Sequence, residues 1–189
     1  MKKPIDIQFI KFPKAEFIIG SFEDKLCLCD FRYRGIRKSV DNRIQQGLNA
    51  NFNERSNEIL ELTKAQLGEY WSGSRQSFDM PLLTVGTEFQ KIVWQSLLDI
   101  PYSETISYLE LAKAIGNKGA MRAVGSANGA NALDIIIPCH RVIASDGSLG
   151  GYGGGLSIKK ISWHWRRTTA FSNYEPSVNG PLAFVPSQE

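Results

Sequence analysis

Between residues 7 and 33 the apolar residues fall into three short runs, IQFIKF, FIIGSF and LCLCDFRY, with Gly20 and the Glu23, Asp24 pair as turn signals. Runs of this length bounded by turn residues predict strands, and their spacing predicts a small antiparallel sheet with hairpin links. The next stretch, GIRKSVDNRIQQGLNANFNE, is polar and punctuated by glycine, which predicts loop with some helix. SNEILELTKAQLGEYW then places Ile59, Leu60, Leu62, Leu67 and Tyr70 at helical spacing, with Ser56 or Asn57 as the cap and an end near Trp71. SGSRQSFDMPLLTVG is rich in turn residues and marks a boundary between an N-terminal α/β domain, residues 1–84, and a second domain, residues 85–167.

From Thr87 the periodicity sharpens. TEFQ is a capping-box sequence, in which Thr87 accepts from an amide three residues on and Gln90 reaches back. Phe89, Val93, Trp94, Leu97 and Leu98 form the apolar stripe of the helix it opens, which stops near Pro101. SYLELAKAIG predicts a second helix, capped by Ser107 and stopped at Gly116. After the turn NKG comes a third, AMRAVGSANGAN. Two helices joined by a tight glycine-bearing turn are the pattern of a helix-turn-helix. The small residues Ala123, Gly125 and Ser126 would let the second helix approach a groove closely, and would equally suit helix packing. LDIIIPCHRVI reads as a buried strand end bent at Pro138. ASDGSLGGYGGGL follows, a glycine-rich loop without a lysine at phosphate-loop spacing. Residues 168–189 read as a disordered tail.

Composition narrows the class. With 189 residues and 42% apolar content the chain can bury an ordinary core. The net charge of +3 is spread along the chain, so DNA affinity would have to come from placement. The start lacks the apolar stretch of a signal peptide, and no segment is apolar enough to span a bilayer. Three cysteines without a secretory signal argue for a reducing interior, hence a cytoplasmic protein, or a nuclear one in a eukaryote. Cys27 and Cys29, two apart on a strand, are expected on one face, as buried thiols and not as metal ligands.

The chemistry concentrates at IPCHRVI, where the rare residues Cys139 and His140 are adjacent behind Pro138. Residues 86–160, and the PCHRV core above all, resemble the methylated-DNA–protein-cysteine methyltransferases, also called O6-alkylguanine-DNA alkyltransferases. The resemblance implies a winged helix-turn-helix type of C-terminal domain, mainly α, acting as a monomer on double-stranded DNA that contains O6-alkylguanine. O4-alkylthymine is a second candidate substrate. The thiolate of Cys139 would take the alkyl group permanently, in a single turnover that needs no cofactor and no metal. A thiolate suits this role because it is strongly nucleophilic and gives a stable thioether.

The remaining roles follow from the same likeness. His140 would act as general base through a water. Arg122 would fill the stack vacated by the flipped base. Ala123, Gly125 and Ser126 would line the same DNA-facing helix. Tyr108 would crowd the target phosphate and help guanine leave. Asn131 would brace the active-site turn, Pro138 would set its bend, and Arg141 would support it. Tyr152, Gly153 and Gly154 would wall the alkyl pocket.

The chain departs from the family beyond Lys159. Arg166 stands where the family carries a glutamate that orients the histidine, and a guanidinium there disfavours the imidazolium. A shifted coding frame near the lysine pair would account for this, which the sequence of the gene would decide. Deleting one A from AAA-AAG-ATT-TCT, a possible coding for KKIS, restores Lys-Arg-Phe-Leu, which is closer to the family. Two further readings stand beside alkyl transfer. One is a protein that recognises alkylated DNA with weak or no transfer, which Arg166 favours and Cys139 opposes. The other is a Cys–His hydrolase, for which no oxyanion site is evident.

Overall fold

The computed structural model describes residues 3–13 and 15–149. The first three strands are β1 (Ile5–Phe12), β2 (Ala15–Phe22) and β3 (Lys25–Phe31), followed by helix α1 (Arg37–Leu48), strand β4 (Phe52–Glu54) and helix α2 (Glu58–Ser72). The sheet order is β3-β2-β1-β4. The first three strands are antiparallel, as their hairpin spacing predicts, but the sheet is mixed because β4 returns parallel to β1. The parallel return follows from α1, which carries the chain across one face before β4 pairs.

The polar stretch expected to be mostly loop is therefore a twelve-residue helix. Its apolar signal is thin, since only Val40 and Ile44 are buried, one turn apart, beneath the sheet. Asn49, left-handed at φ 49°, ends it. Helix α2 covers the other face and is capped by Asn57, whose Oδ1 accepts from the Leu60 amide at 3.1 Å. Ser56 instead donates to Glu61 Oε1 at 2.6 Å.

Cys27 and Cys29 do not share a face. Gly20 pairs with Leu28 and Ser21 with Leu26, so Cys27 is the extra residue of a bulge. The bulge breaks the two-residue alternation. Cys29 joins the core toward α2, while Cys27 joins the core toward α1 and donates to Gly20 O at 3.4 Å.

The second half contains α3 (Glu88–Leu98), the short strand β5 (Ile106–Ser107), α4 (Tyr108–Ala114), a 3-10 turn (Lys118–Ala120) and α5 (Met121–Gly129). A second 3-10 turn, Cys139–Arg141, leads into β6 (Val142–Ile143), which pairs with β5. Thr87 with Gln90, and Ser107 with Glu110, each form complete capping boxes. Gly116, at φ +74°, supplies the left-handed residue that closes α4. Trp94 of α3 is buried and donates its indole N–H to Ala127 O at 2.8 Å, locking α3 to α5.

The free edge of β3 joins the two halves. Leu26 donates to Pro81 O and accepts from the Leu83 amide, each at 2.8 Å, and Cys29 donates to Ala132 O at 2.8 Å. Both the connector and the segment leading to Cys139 are thus seated on that edge. One apolar core runs through Phe17, Leu60, Trp94, Leu97 and Cys139. Among the described residues no helix is long and apolar enough to cross a membrane.

Candidate active site and DNA-facing helix

Residues 131–141 form the centre of the site. Up to Cys139 the apolar run expected to be a strand end is instead a succession of turns, with isolated bridges from Leu133 to Cys29 and from Asp134 to Ile137. Ile135 sits at φ 74°, a conformation that a β-branched residue adopts at a cost of roughly 1–3 kcal/mol. Its buried side chain and the bonds around it hold it there. Asn131 supplies two of those bonds. Its Nδ2 donates to Ile137 O and its Oδ1 accepts from the Leu133 amide, both at 2.9 Å. Pro138, at φ −80° and ψ 57°, then turns the chain into Cys139 and His140 at the start of the 3-10 turn. Arg141 donates to Ile100 O at 2.6 Å, tying this turn to the end of α3.

Cys139 is 1% exposed and His140 is fully buried. The Cys139 thiol donates to Asp134 Oδ1 at 2.8 Å. Burial, reinforced by the charge and hydrogen bond of Asp134, pushes the thiol well above its ordinary pKa. Burial together with nearby Asp30 pushes the Asp134 carboxyl up as well, against the pull of Arg34. Asp134 Oδ2 lies 3.6 Å from Arg34 Nη1, and the same nitrogen bonds Asp30 Oδ2 at 2.9 Å. Arg37 of α1 reaches that Asp30 oxygen at 2.7 Å.

Two further residues that the sequence reading missed lie beside the thiol. Asn128 of α5 donates to Cys139 O at 3.2 Å and shares a side-chain hydrogen bond with Tyr108. Tyr108, at the start of α4, has its hydroxyl pKa raised by burial and by nearby Cys139. Asp134 is the second omission. The signal for it was one carboxylate inside an otherwise apolar run five residues before the cysteine, and only a partner 100 positions upstream explains it.

On α5, Arg122, Ala123 and Ser126 are exposed and Gly125 is half-buried, while Val124, Ala127 and Asn128 face the core. Four of the five residues expected on the DNA side therefore share one helix, whose other face carries Asn128 to the cysteine, and the fifth, Tyr108, opens α4. Among the described residues no cluster of three His, Cys, Asp or Glu side chains could hold a metal ion. Tyr152, Gly153, Gly154 and Arg166 lie outside the described residues, as do the tail and the segment bearing on the coding frame.

Comparison with known proteins agrees with this geometry. The family described as 6-O-methylguanine DNA methyltransferase, DNA binding domain, matches residues 88–165. A methylated-DNA–protein-cysteine methyltransferase of Methanosarcina barkeri is 57% identical over 96 residues, which is 51% of this chain and 61% of that protein. The chain thus spans about three fifths of the length of that curated relative. The crystal structure of the Mycobacterium tuberculosis O6-methylguanine methyltransferase superposes with a TM-score of 0.75 at 34% identity, covering 89% of this chain and 96% of that one. The same organism's protein in complex with DNA gives 0.74, also at 34% identity, covering 87% and 94%. With a fold shared almost end to end and a matching DNA-binding domain around Cys139, the chain belongs to the O6-methylguanine-DNA methyltransferase family.

Proposed function

We propose that the protein repairs alkylated DNA directly, by moving the alkyl group from O6 of guanine to Cys139 in a single turnover. The observation that carries this reading is a buried cysteine behind α5, whose opposite face exposes Arg122, Ala123 and Ser126. A buried thiol cannot reach a base inside a duplex, so the nucleotide has to leave the stack and come to it. We read α4, the intervening turn and α5 as a helix-turn-helix of the winged type, with α5 in the groove and Arg122 filling the vacated position. Residues 1–84 act as a supporting α/β domain and residues 85–167 as the DNA-binding and transfer domain.

The chemistry is displacement at the alkyl carbon. Cys139 is the nucleophile. His140, buried beside it, assists proton removal, and Tyr108 lies at the same centre to hydrogen-bond the departing guanine. Asn131 and Pro138 hold the turn that presents the thiol.

Incubation with duplex DNA carrying one O6-methylguanine, followed by intact and peptide mass spectrometry, tests the reading. The expected result is a gain of one methyl group on Cys139, one per protein molecule, with guanine restored in the DNA. Lesion binding by folded protein without that gain would leave a recognition protein in its place.

A further inference from the structure

We propose that Asn128 of α5 is a positioning residue that aims the Tyr108 hydroxyl at the departing guanine. The assignment rests on the alkyl-transfer reading and adds a residue to it. Asn128 is 3% exposed, and its Nδ2 donates to Cys139 O at 3.2 Å. Tyr108 packs on the same face of α5. A Cβ on Gly125, one turn before Asn128, would stand 3.9 Å from each of two Tyr108 ring carbons. The hydroxyl end of that ring shares a side-chain hydrogen bond with Asn128. One amide thus ties the α4 tyrosine and the main chain of the nucleophile to the helix that carries Arg122.

The direction of the Tyr108 bond decides what it does for the reaction. Burial and nearby Cys139 raise the Tyr108 pKa, and the Asn128 bond opposes them. A bond that favours the phenolate is one donated to its oxygen. The donor is therefore Asn128 Nδ2, whose two hydrogens serve Cys139 O and the Tyr108 oxygen. Asn128 Oδ1 agrees with this, being buried without a hydrogen-bond partner among the described residues. An apolar side chain of the same size would avoid the cost of that unpaired oxygen, so the amide is explained by the bonds it donates.

A phenol has a single proton to give. With its oxygen accepting from Asn128, Tyr108 directs its own O–H away from that amide. A side chain at position 128 that could only accept would draw the O–H back into α5 and withhold it from the base. The aim matters most as the C–O6 bond breaks, when charge builds on the guanine and a prealigned donor stabilises it.

The test is a double-mutant cycle on single-turnover transfer from one lesion duplex, with wild type, Asn128→Leu, Tyr108→Phe and the double variant. Leucine keeps the size of the side chain and removes both donated bonds. With Tyr108 present, Asn128→Leu should slow transfer about tenfold at unchanged DNA affinity. In the Tyr108→Phe background the same change should cost less than about twofold. Methylation of Cys139 by iodomethane, whose leaving iodide needs no hydrogen-bond donor, should keep its wild-type rate. Equal slowing in both backgrounds, or a matching loss with iodomethane, would assign Asn128 to bracing the Cys139 turn and overturn the proposal. Transfer by Asn128→Leu at the wild-type rate also overturns it, while absence of transfer by wild type overturns the function itself.

Should Asn128→Leu not fold, nuclear magnetic resonance of Tyr108→Phe decides the matter. Loss of the hydroxyl should move the side-chain amide protons of Asn128 upfield, and unmoved resonances refute the assignment.

Discussion

The guanidinium of Arg34 donates to the main-chain carbonyl of Asn131 at 2.7 Å, across 97 positions of sequence. It also bonds Gly129 O, and Arg43 of α1 donates to Ala130 O at 2.6 Å. Three successive carbonyls at the C-terminal end of α5 are thus satisfied by arginines from the first half of the chain. A helix end leaves such carbonyls unpaired, and cations there are favoured by the helix dipole. The N-terminal half consequently fixes where α5 stops and where the turn bearing Cys139 begins.

Replacing Arg34 with methionine removes those bonds and leaves Asp30 and Asp134 short of a buried counter-charge. The expected cost is about 3–5 kcal/mol of stability, read from the urea midpoint. Arg34→Lys should recover only part of it, because one ammonium cannot serve Asp30 and two carbonyls in the planar geometry of a guanidinium.

Arg122 is exposed, and its side chain is expected to act on DNA alone. Arg122→Ala should shift stability by no more than about 0.5 kcal/mol. Transfer from a lesion in duplex DNA should slow by at least tenfold, while alkylation by the free base O6-benzylguanine stays near the wild-type rate. Equal slowing of both reactions would assign Arg122 a role other than base extrusion.

Gly86→Ala should destabilise the fold by about 1–3 kcal/mol through overpacking. A Cβ there would meet Trp94 Cη2 at 2.5 Å and Gln90 Oε1 at 2.5 Å, striking both the core tryptophan and the capping box. Thermal unfolding monitored by tryptophan fluorescence checks this.

Stability should fall with rising pH from about 8.5 upward. Burial pushes the Cys27 thiol up to about 12 and pushes the Cys29 and Cys139 thiols up as well. In that window the unfolded thiols lose their protons while the folded ones keep them, so ionisation favours the unfolded chain. Each such thiol contributes a slope of about 1.4 kcal/mol per pH unit. Urea titrations of wild type and Cys27→Ala at pH 7.5 and 10 should differ by the slope of one proton.

Much of the architecture was legible locally. The capping boxes at Thr87 and Ser107, the stripe through Val93, Trp94 and Leu97, and the stop at Gly116 are decided by residues within one or two turns of each other. Helix α1 was not legible, because its sheet-facing side shows only Val40 and Ile44 and its stability comes from burial against a sheet formed elsewhere in the chain. The separation of Cys27 from Cys29 was hidden for a related reason. A bulge belongs to the pairing of two strands and cannot be seen in either one alone.

The sequence by itself determined that Cys139 and His140 would be presented behind Pro138, and that two helices joined by a glycine-closed turn would precede them. These are short-range consequences of residue type and spacing. The tertiary structure alone decided that the thiol meets Asp134, and that Asp134 faces Arg34 and Asp30 from the opposite half. Buried charges need partners wherever the fold can supply them, and those partners are fixed by packing along the edge of β3 rather than by any spacing along the chain.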